Sequence, residues 1–164
     1  MSTAGKLCIG ILELLSKTTI AVAGTAVLGM AAVEVWQVIA RYVLNDAPSW
    51  TEPVALLCMS TAMMFGAAAG VRANRHFSFS ILVEASPPPL RRALRTFAWL
   101  IAAGIGLMLM GWGAVMVRDA WGYSMSGVSL PQGLSFLPLS VGGALIAVFA
   151  VECILRPDRA AAGE

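Results

Sequence analysis

Residues Thr18–Ala40 read TTIAVAGTAVLGMAAVEVWQVIA, an apolar stretch long enough to cross a bilayer as a helix. The same holds for the stretches at Glu52–Val71, Arg95–Val117 and Leu134–Leu155. Hydrocarbon offers no hydrogen-bonding partner to backbone N–H and C=O groups, so each stretch is predicted to be a helix. The sequence therefore predicts an all-α polytopic membrane protein with four transmembrane helices, in which residues 1–164 form a single integral membrane domain.

The bulk composition agrees with this class. Of the 164 residues, 59% are hydrophobic and only 12% are charged, far from the balance of a soluble domain. The spans leave too little chain for an extramembrane domain with its own core. The formal net charge is +2, and the basic residues fall in particular connections instead of forming a stripe. We therefore expect contacts with membrane lipids and none with nucleic acid.

The distribution of lysine and arginine predicts the orientation of the spans. Arg41 and Arg118 are the only lysine or arginine residues in the connections after the first and third spans. The positive-inside rule therefore places both termini and the middle connection in the cytoplasm. The residues on that side are Lys6, Lys17, Arg72, Arg75, Arg91, Arg92, Arg95, Arg156 and Arg159.

The connection between the second and third spans has a mixed pattern. After His76 the residues alternate as in a strand, and further along Leu90, Leu94 and Phe97 recur at helical spacing opposite arginines. Two interpretations stay open: an interfacial segment that lies along the cytoplasmic membrane surface with its arginines on lipid phosphates, and a simple basic loop. We favour the interfacial segment.

Glu34 is the ionisable residue that lies deepest in a predicted span. Gln37 and Arg41 follow it at spacings of three and seven, so the three side chains form a polar stripe on one face of the first helix. A charge at this depth is costly unless it faces protein or water. Glu34 is therefore either a proton or cation site or, as we favour, a carboxylate bonded to a neighbouring helix of this chain or of a partner subunit.

Other charged residues need no special role. Glu13 with Lys17 and Glu152 with Arg156 form i, i+4 pairs near helix ends, which is ordinary helix electrostatics. His76, the lone histidine, has no second metal ligand near it in sequence, and no nucleophile with a base, phosphate loop or carboxylate pair is evident. The sequence therefore predicts no enzyme, no metal and no cofactor.

The second span also carries a ridge of small residues. Ala62, Gly66 and Gly70 recur every four residues, a spacing that allows another helix to come close. We interpret this ridge as a packing surface, either within the chain or at a subunit interface.

Short motifs around the first connection and the second span carry a family resemblance. They are Arg41-Tyr42-Val43-Leu44-Asn45, Ser49-Trp50-Thr51-Glu52, Phe65-Gly66-Ala67-Ala68-Ala69-Gly70-Val71-Arg72, and His76 followed by Phe77 to Leu82. The chain resembles the small membrane subunit, or small permease, of tripartite ATP-independent periplasmic (TRAP) transporters. The pattern of that family runs approximately Arg-Tyr…Asn, Trp-Thr-Glu-Glu, Gly-Ala…Arg and His-Ile-x-Val-Asp. The resemblance covers residues 36–82 specifically and the four-helix layout generally.

The resemblance carries residue roles onto matching positions only. Pro53 stands where the family usually has a second acidic residue, and Ser80 stands near where an aspartate is expected, so no carboxylate function is assigned to either. Arginine and tryptophan suit anchoring at the interface, and an acidic residue suits a helix N-terminus. The positions that match are Arg41, Asn45, Trp50 and Glu52 at the outer ends of the first two helices, and Arg72 and His76 at the inner end of the second.

The resemblance also implies a division of labour. In such transporters a periplasmic substrate-binding protein delivers an organic acid to a large permease subunit, which holds the substrate and sodium sites and moves, in the bacterial inner membrane. The small subunit supports the large one. Plain spans without internal repeats or broken helices agree with a supporting role.

A second hypothesis comes from another class of protein. A small proton-coupled multidrug exporter could act as a homodimer through Glu34. The long basic middle connection counts against it, as does Arg41 on the same face, which would hold Glu34 ionised.

Overall fold

The computed structural model of the chain describes residues 3–46, 48–73 and 88–155. Each of its long helices contains a stretch that is long and apolar enough to cross a membrane. This confirms an all-helical chain with four candidate spans. The helices are α1 (Thr3–Tyr42), α2 (Thr51–Arg72), α3 (Pro88–Asp119) and α4 (Leu137–Leu155), with a 3-10 helix at Gln132–Phe136 that leads into α4.

Two helices begin earlier than the predicted spans. Helix α1 starts at Thr3 instead of Thr18, and its 40 residues extend over about 60 Å. Helix α3 starts at Pro88, ahead of the span predicted from Arg95, and it includes the part in which Leu90, Leu94 and Phe97 recur at helical spacing. Proline is tolerated there because the first residues of a helix have no intrahelical partner for their N–H groups. The rest of the predicted interfacial segment, residues 74–87, lies outside the described residues.

The four helices pack as an open row. Extensive contacts join α1 to α2, α2 to α4, and α4 to α3, so α1 and α3 lie at the two edges. Helices α2 and α4 run in the same direction and are neighbours. We call the end of the row that holds residues 10–16, 72 and 152 the termini end, and the end that holds the connections 43–50 and 120–131 the loop end.

Glycine residues let α4 approach both of its neighbours closely. A Cβ added to Gly106 of α3 would lie 2.7 Å from the backbone nitrogen of Ala147, and one added to Gly143 would lie 2.6 Å from the backbone nitrogen of Met110. On the other side of α4, a Cβ on Gly142 would lie 2.6 Å from the Cβ of Met64 in α2. Close backbone approach is how helices associate in lipid, where hydrophobic burial gives no drive.

The buried core lies toward the termini end. It is built from α2, α3 and α4 around Phe149, which has no exposed surface, and Leu12 and Leu15 of α1 pack against it. The other buried members are Ala68, Val71, Trp99, Ala103, Ile146 and Ala150.

The connections at the loop end are ordered by backbone hydrogen bonds. Asn45 takes a left-handed conformation (φ 54°), which lets the N–H of Asp46 donate to the carbonyl of Ala40 at the end of α1. In the other connection, the N–H of Met125 donates to the carbonyl of Leu130, and Gly127 (φ 75°) lies against Ser49. The two connections therefore contact each other.

Candidate functional site: an ion pair at the termini end and a polar stripe on α1

A salt bridge joins α2 to α4 at the termini end. The Nε–H of Arg72 donates to one carboxylate oxygen of Glu152 at 3.0 Å, and a terminal N–H donates to the other at 3.4 Å. The Arg72 and Glu152 side chains are only 18% and 8% exposed. Two parallel charge-assisted hydrogen bonds fix the geometry of such a pair as well as its energy.

The pair rests on the apolar core. The guanidinium carbon of Arg72 lies 5.7 Å from the centroid of the Phe149 ring, within reach of a cation–π interaction. Phe149 itself is completely buried. Because both charges are largely removed from solvent, loss of the Glu152 carboxylate would leave Arg72 without the counter-ion that it has here. The arrangement is suited to locking two parallel helices together.

Glu152 thus has a contact other than its predicted one. Its carboxylate reaches across to Arg72 on another helix, a contact that the sequence analysis did not predict, and the predicted pair with Arg156 stays a prediction. Arg156, its predicted i, i+4 partner, and His76 lie outside the described residues. The other predicted i, i+4 pair is confirmed: the Nζ of Lys17 lies 3.8 Å from Glu13, with both side chains more than half exposed.

The polar stripe occupies the last turns of α1, toward the loop end. Glu34 and Arg41 are exposed and Gln37 is half-buried. Over residues 3–46, 48–73 and 88–155, no hydrogen bond or salt bridge engages the Glu34 carboxylate. The described part of this chain therefore supplies no bonding partner for the Glu34 carboxylate.

Three residues carried over from the family pattern surround the turn from α1 into α2. Asn45, three residues after the end of α1, is left-handed, a conformation that asparagine tolerates better than most residues do. Trp50 precedes the first turn of α2 and is 40% exposed, and Glu52 is exposed within that turn. A negative charge is favoured there by the helix dipole. The side chain of Thr51 is buried and donates to the carbonyl of Pro48 at 2.8 Å.

The ridge predicted on α2 is not used for close packing at Gly66. A Cβ added to Gly66 would meet no atom within 4 Å, and Gly70 is half-buried. The close approaches occur instead at the α3–α4 and α2–α4 contacts, at Gly106, Gly142 and Gly143. The pairing of these glycines with backbone atoms of another helix depends on tertiary arrangement, so spacing alone did not identify them.

The fold and these sites define a small polytopic membrane protein. Its described residues bring together no group of three or more histidine, cysteine, aspartate or glutamate side chains that could hold a metal ion. Of its described charged groups, Arg72 and Glu152 are paired, whereas Glu34 is exposed.

A family model described as Tripartite ATP-independent periplasmic transporters, DctQ component, matches residues 30–160. The chain belongs to this family, which confirms the resemblance predicted from its motifs. A curated relative is the C4-dicarboxylate TRAP transporter small permease protein DctQ of Vibrio cholerae serotype O1 (strain ATCC 39315 / El Tor Inaba N16961). The two are 30% identical over 106 residues, which cover 61% of this chain and 45% of the relative. The match thus spans less than half of that relative's length.

Proposed function

We propose that this chain is the small membrane subunit of a TRAP-type secondary transporter in the bacterial inner membrane, where it supports a large permease subunit. In this proposal the large permease carries out sodium-driven uptake of an organic acid, and a periplasmic substrate-binding protein delivers that acid. Family membership supports the kind of complex. C4-dicarboxylates appear in the name of the relative, and we extend to this chain only the broader class of organic acids.

The observation that carries the supporting role is the open row of helices. Because α1 and α3 lie at the edges and α4 is held tightly by both neighbours, the row offers broad outer faces and a rigid centre. The charged pair within its described core is locked into a salt bridge, not left free for a ligand. These features suit a subunit that stiffens a moving neighbour.

We further propose that the termini end faces the cytoplasm and the loop end faces the periplasm, as the basic residues predict. Exposed aromatic residues at the loop end support a second interface there, because tyrosine and tryptophan favour the headgroup region. These residues are Tyr42, Trp50, Trp121 and Tyr123. Reporter fusions at each terminus should show both ends inside, and an outside signal at either end would contradict the orientation.

The function is tested by reconstitution. The chain is co-expressed with the large permease of the same organism, purified through a tag on the chain, and placed in liposomes with the binding protein and an organic acid. We expect sodium-dependent uptake that needs all three proteins and is absent with this chain alone. Uptake or efflux by the chain alone, abolished by Glu34→Gln, would overturn the proposal in favour of a small exporter.

A further inference from the structure

We infer that the Glu34–Arg41 edge of α1 is the surface on which a helix of the large permease docks, and that this helix presents a cation or hydrogen-bond donor to Glu34 and an anion or acceptor to Arg41. The inference rests on the proposed function, because it takes the large permease as the partner. It goes further by naming the face of α1 that is contacted and the order of the charges along the partner helix.

The first step is the position of Glu34 in the membrane. The apolar stretch of α1 runs over Gly10–Tyr42, and Glu34 lies eight residues before its end. At about 1.5 Å per residue this places the carboxylate about 12 Å inside the loop end of the helix. Its side chain is exposed on the chain itself. An exposed carboxylate at this depth is costly against lipid, so protein or water must cover this face.

The second step is that neighbouring elements of the described chain do not relieve this cost. Helix α2 is the one that packs extensively on α1, and a Cβ at Gly29 would lie 3.6 Å from the Sγ of Cys58. Because the two helices run antiparallel, Glu34 is level with the first turn of α2. Pro53 in that turn has no group to donate, and the hydroxyl of Thr51 donates to the carbonyl of Pro48. Glu34 forms no hydrogen bond or salt bridge with any described residue.

The third step concerns a second copy of this chain that pairs through α1 on both sides. A two-fold axis along the membrane normal would set each residue of α1 at the same depth as its copy. Glu34 would then face Glu34, and Arg41 would face Arg41. Pairing Glu34 with Arg41 would need a shift of seven residues, or about 10 Å along the normal, which that axis forbids. A symmetric pairing of two α1 edges therefore leaves both charges unmatched, whereas a helix of the large permease, the partner in the proposed function, can present its charges in complementary order.

The decisive experiment exchanges the two charges. The double variant Glu34→Arg with Arg41→Glu keeps composition and net charge but inverts the order along α1. Co-purification of the large permease with the tagged chain should fall at least about tenfold, since each charge would meet its like in a desolvated contact. Glu13→Gln, an exposed carboxylate near the other end of the same helix, is the matched control and should retain wild-type capture. Wild-type capture by the exchange variant would overturn the inference.

A second measurement leaves the charges in place and so does not depend on how the exchange variant folds. Val38 lies between Glu34 and Arg41 in sequence and is 55% exposed, whereas the exposed Ala32 lies about 160° around the helix from Glu34. With Cys8, Cys58 and Cys153 replaced by alanine, Val38→Cys should crosslink to the large permease with a short bifunctional thiol- and amine-reactive reagent, and Ala32→Cys should not. Equal crosslinking of both, or crosslinking of Val38→Cys to a second copy, would overturn the inference.

The outcomes separate the two proposals. If the wild-type chain captures no large permease, the proposed function fails and this inference fails with it. If the wild-type chain captures the permease and the exchange variant does so equally well, only the docking face is wrong.

Discussion

Two glutamates within the helices of this protein have opposite surroundings. Glu152 on α4 is 8% exposed and forms a bidentate pair with Arg72, whereas Glu34 on α1 is exposed and has no partner among the described residues. The helices that carry them differ in the same way: 39% of the apolar window of α4 is buried, against 6% in α1. The paired carboxylate thus lies on the most enclosed of the four described helices, and the exposed carboxylate lies on the least enclosed one.

The position of each helix in the row explains the difference. Helix α4 lies between α2 and α3, so a charge on it can be enclosed and paired by the same chain. Among the described helices, α1 lies at an edge and packs extensively on α2 alone. No other described helix faces a polar residue on its free side.

Breaking the salt bridge between Arg72 and Glu152 should cause the largest loss of stability. Glu152→Leu leaves the mostly buried Arg72 without its carboxylate, and we expect the free energy of unfolding of the isolated chain in detergent to fall by about 3 to 5 kcal/mol. Denaturation followed by tryptophan fluorescence measures this.

The double variant Arg72→Leu with Glu152→Leu serves as the control for the uncompensated charge. It should recover part of the loss, because a well-packed apolar pair avoids burying an unpaired ion. A single variant as stable as the wild type would show that the pair does not hold α2 and α4 together.

Crowding the close contact between α3 and α4 should cause the next largest loss of stability. Gly106→Ala places a methyl group 2.7 Å from the backbone nitrogen of Ala147, and the crowding should cost about 1 to 3 kcal/mol. Gly104→Ala, two residues away where a Cβ would meet nothing within 4 Å, is the matched control and should be neutral or slightly stabilising because alanine favours helix. Equal stability of the two variants would contradict close packing at this contact.

A smaller loss of stability is expected from a change at the loop end, where the two connections contact each other. Gly127→Ala puts a side chain into a left-handed conformation and against the backbone of Ser49, and should cost about 1 to 2 kcal/mol. Gly122→Ala in the same connection, with open space around it, should change little. Thermal unfolding of both variants in one detergent tests this, and a loss confined to Gly122→Ala would be the opposite of the expected result.

Hydropathy was enough to predict the helices, but not their ends. The predicted span begins at Thr18 because the charged residue Lys17 precedes it. Helix α1 itself begins at Thr3 and includes Glu13 and Lys17. The same applies to α3, which begins at Pro88 although its apolar span was predicted from Arg95. A helix boundary depends on capping and on what the chain does next, and a change in polarity reports neither.

The candidate site was predicted only in part. The stripe of Glu34, Gln37 and Arg41 follows from helical spacing, which is local. The pair between Arg72 and Glu152 depends on α2 and α4 being parallel neighbours, which no local spacing encodes. One signal was available: both residues end spans that run in the same direction, so their opposite charges lie at the same end of the protein.

The smallest expected effect bears most directly on the comparison between the two glutamates. Glu34→Leu in the isolated chain should change the free energy of unfolding in detergent by no more than about 0.5 kcal/mol, since no described residue depends on this carboxylate. Glu13→Gln, which removes an exposed i, i+4 pair, should fall in the same range. A loss at Glu34 as large as that at Glu152 would mean that the carboxylate is satisfied within the chain, and the distinction between a self-sufficient α4 and a partner-dependent α1 would be wrong.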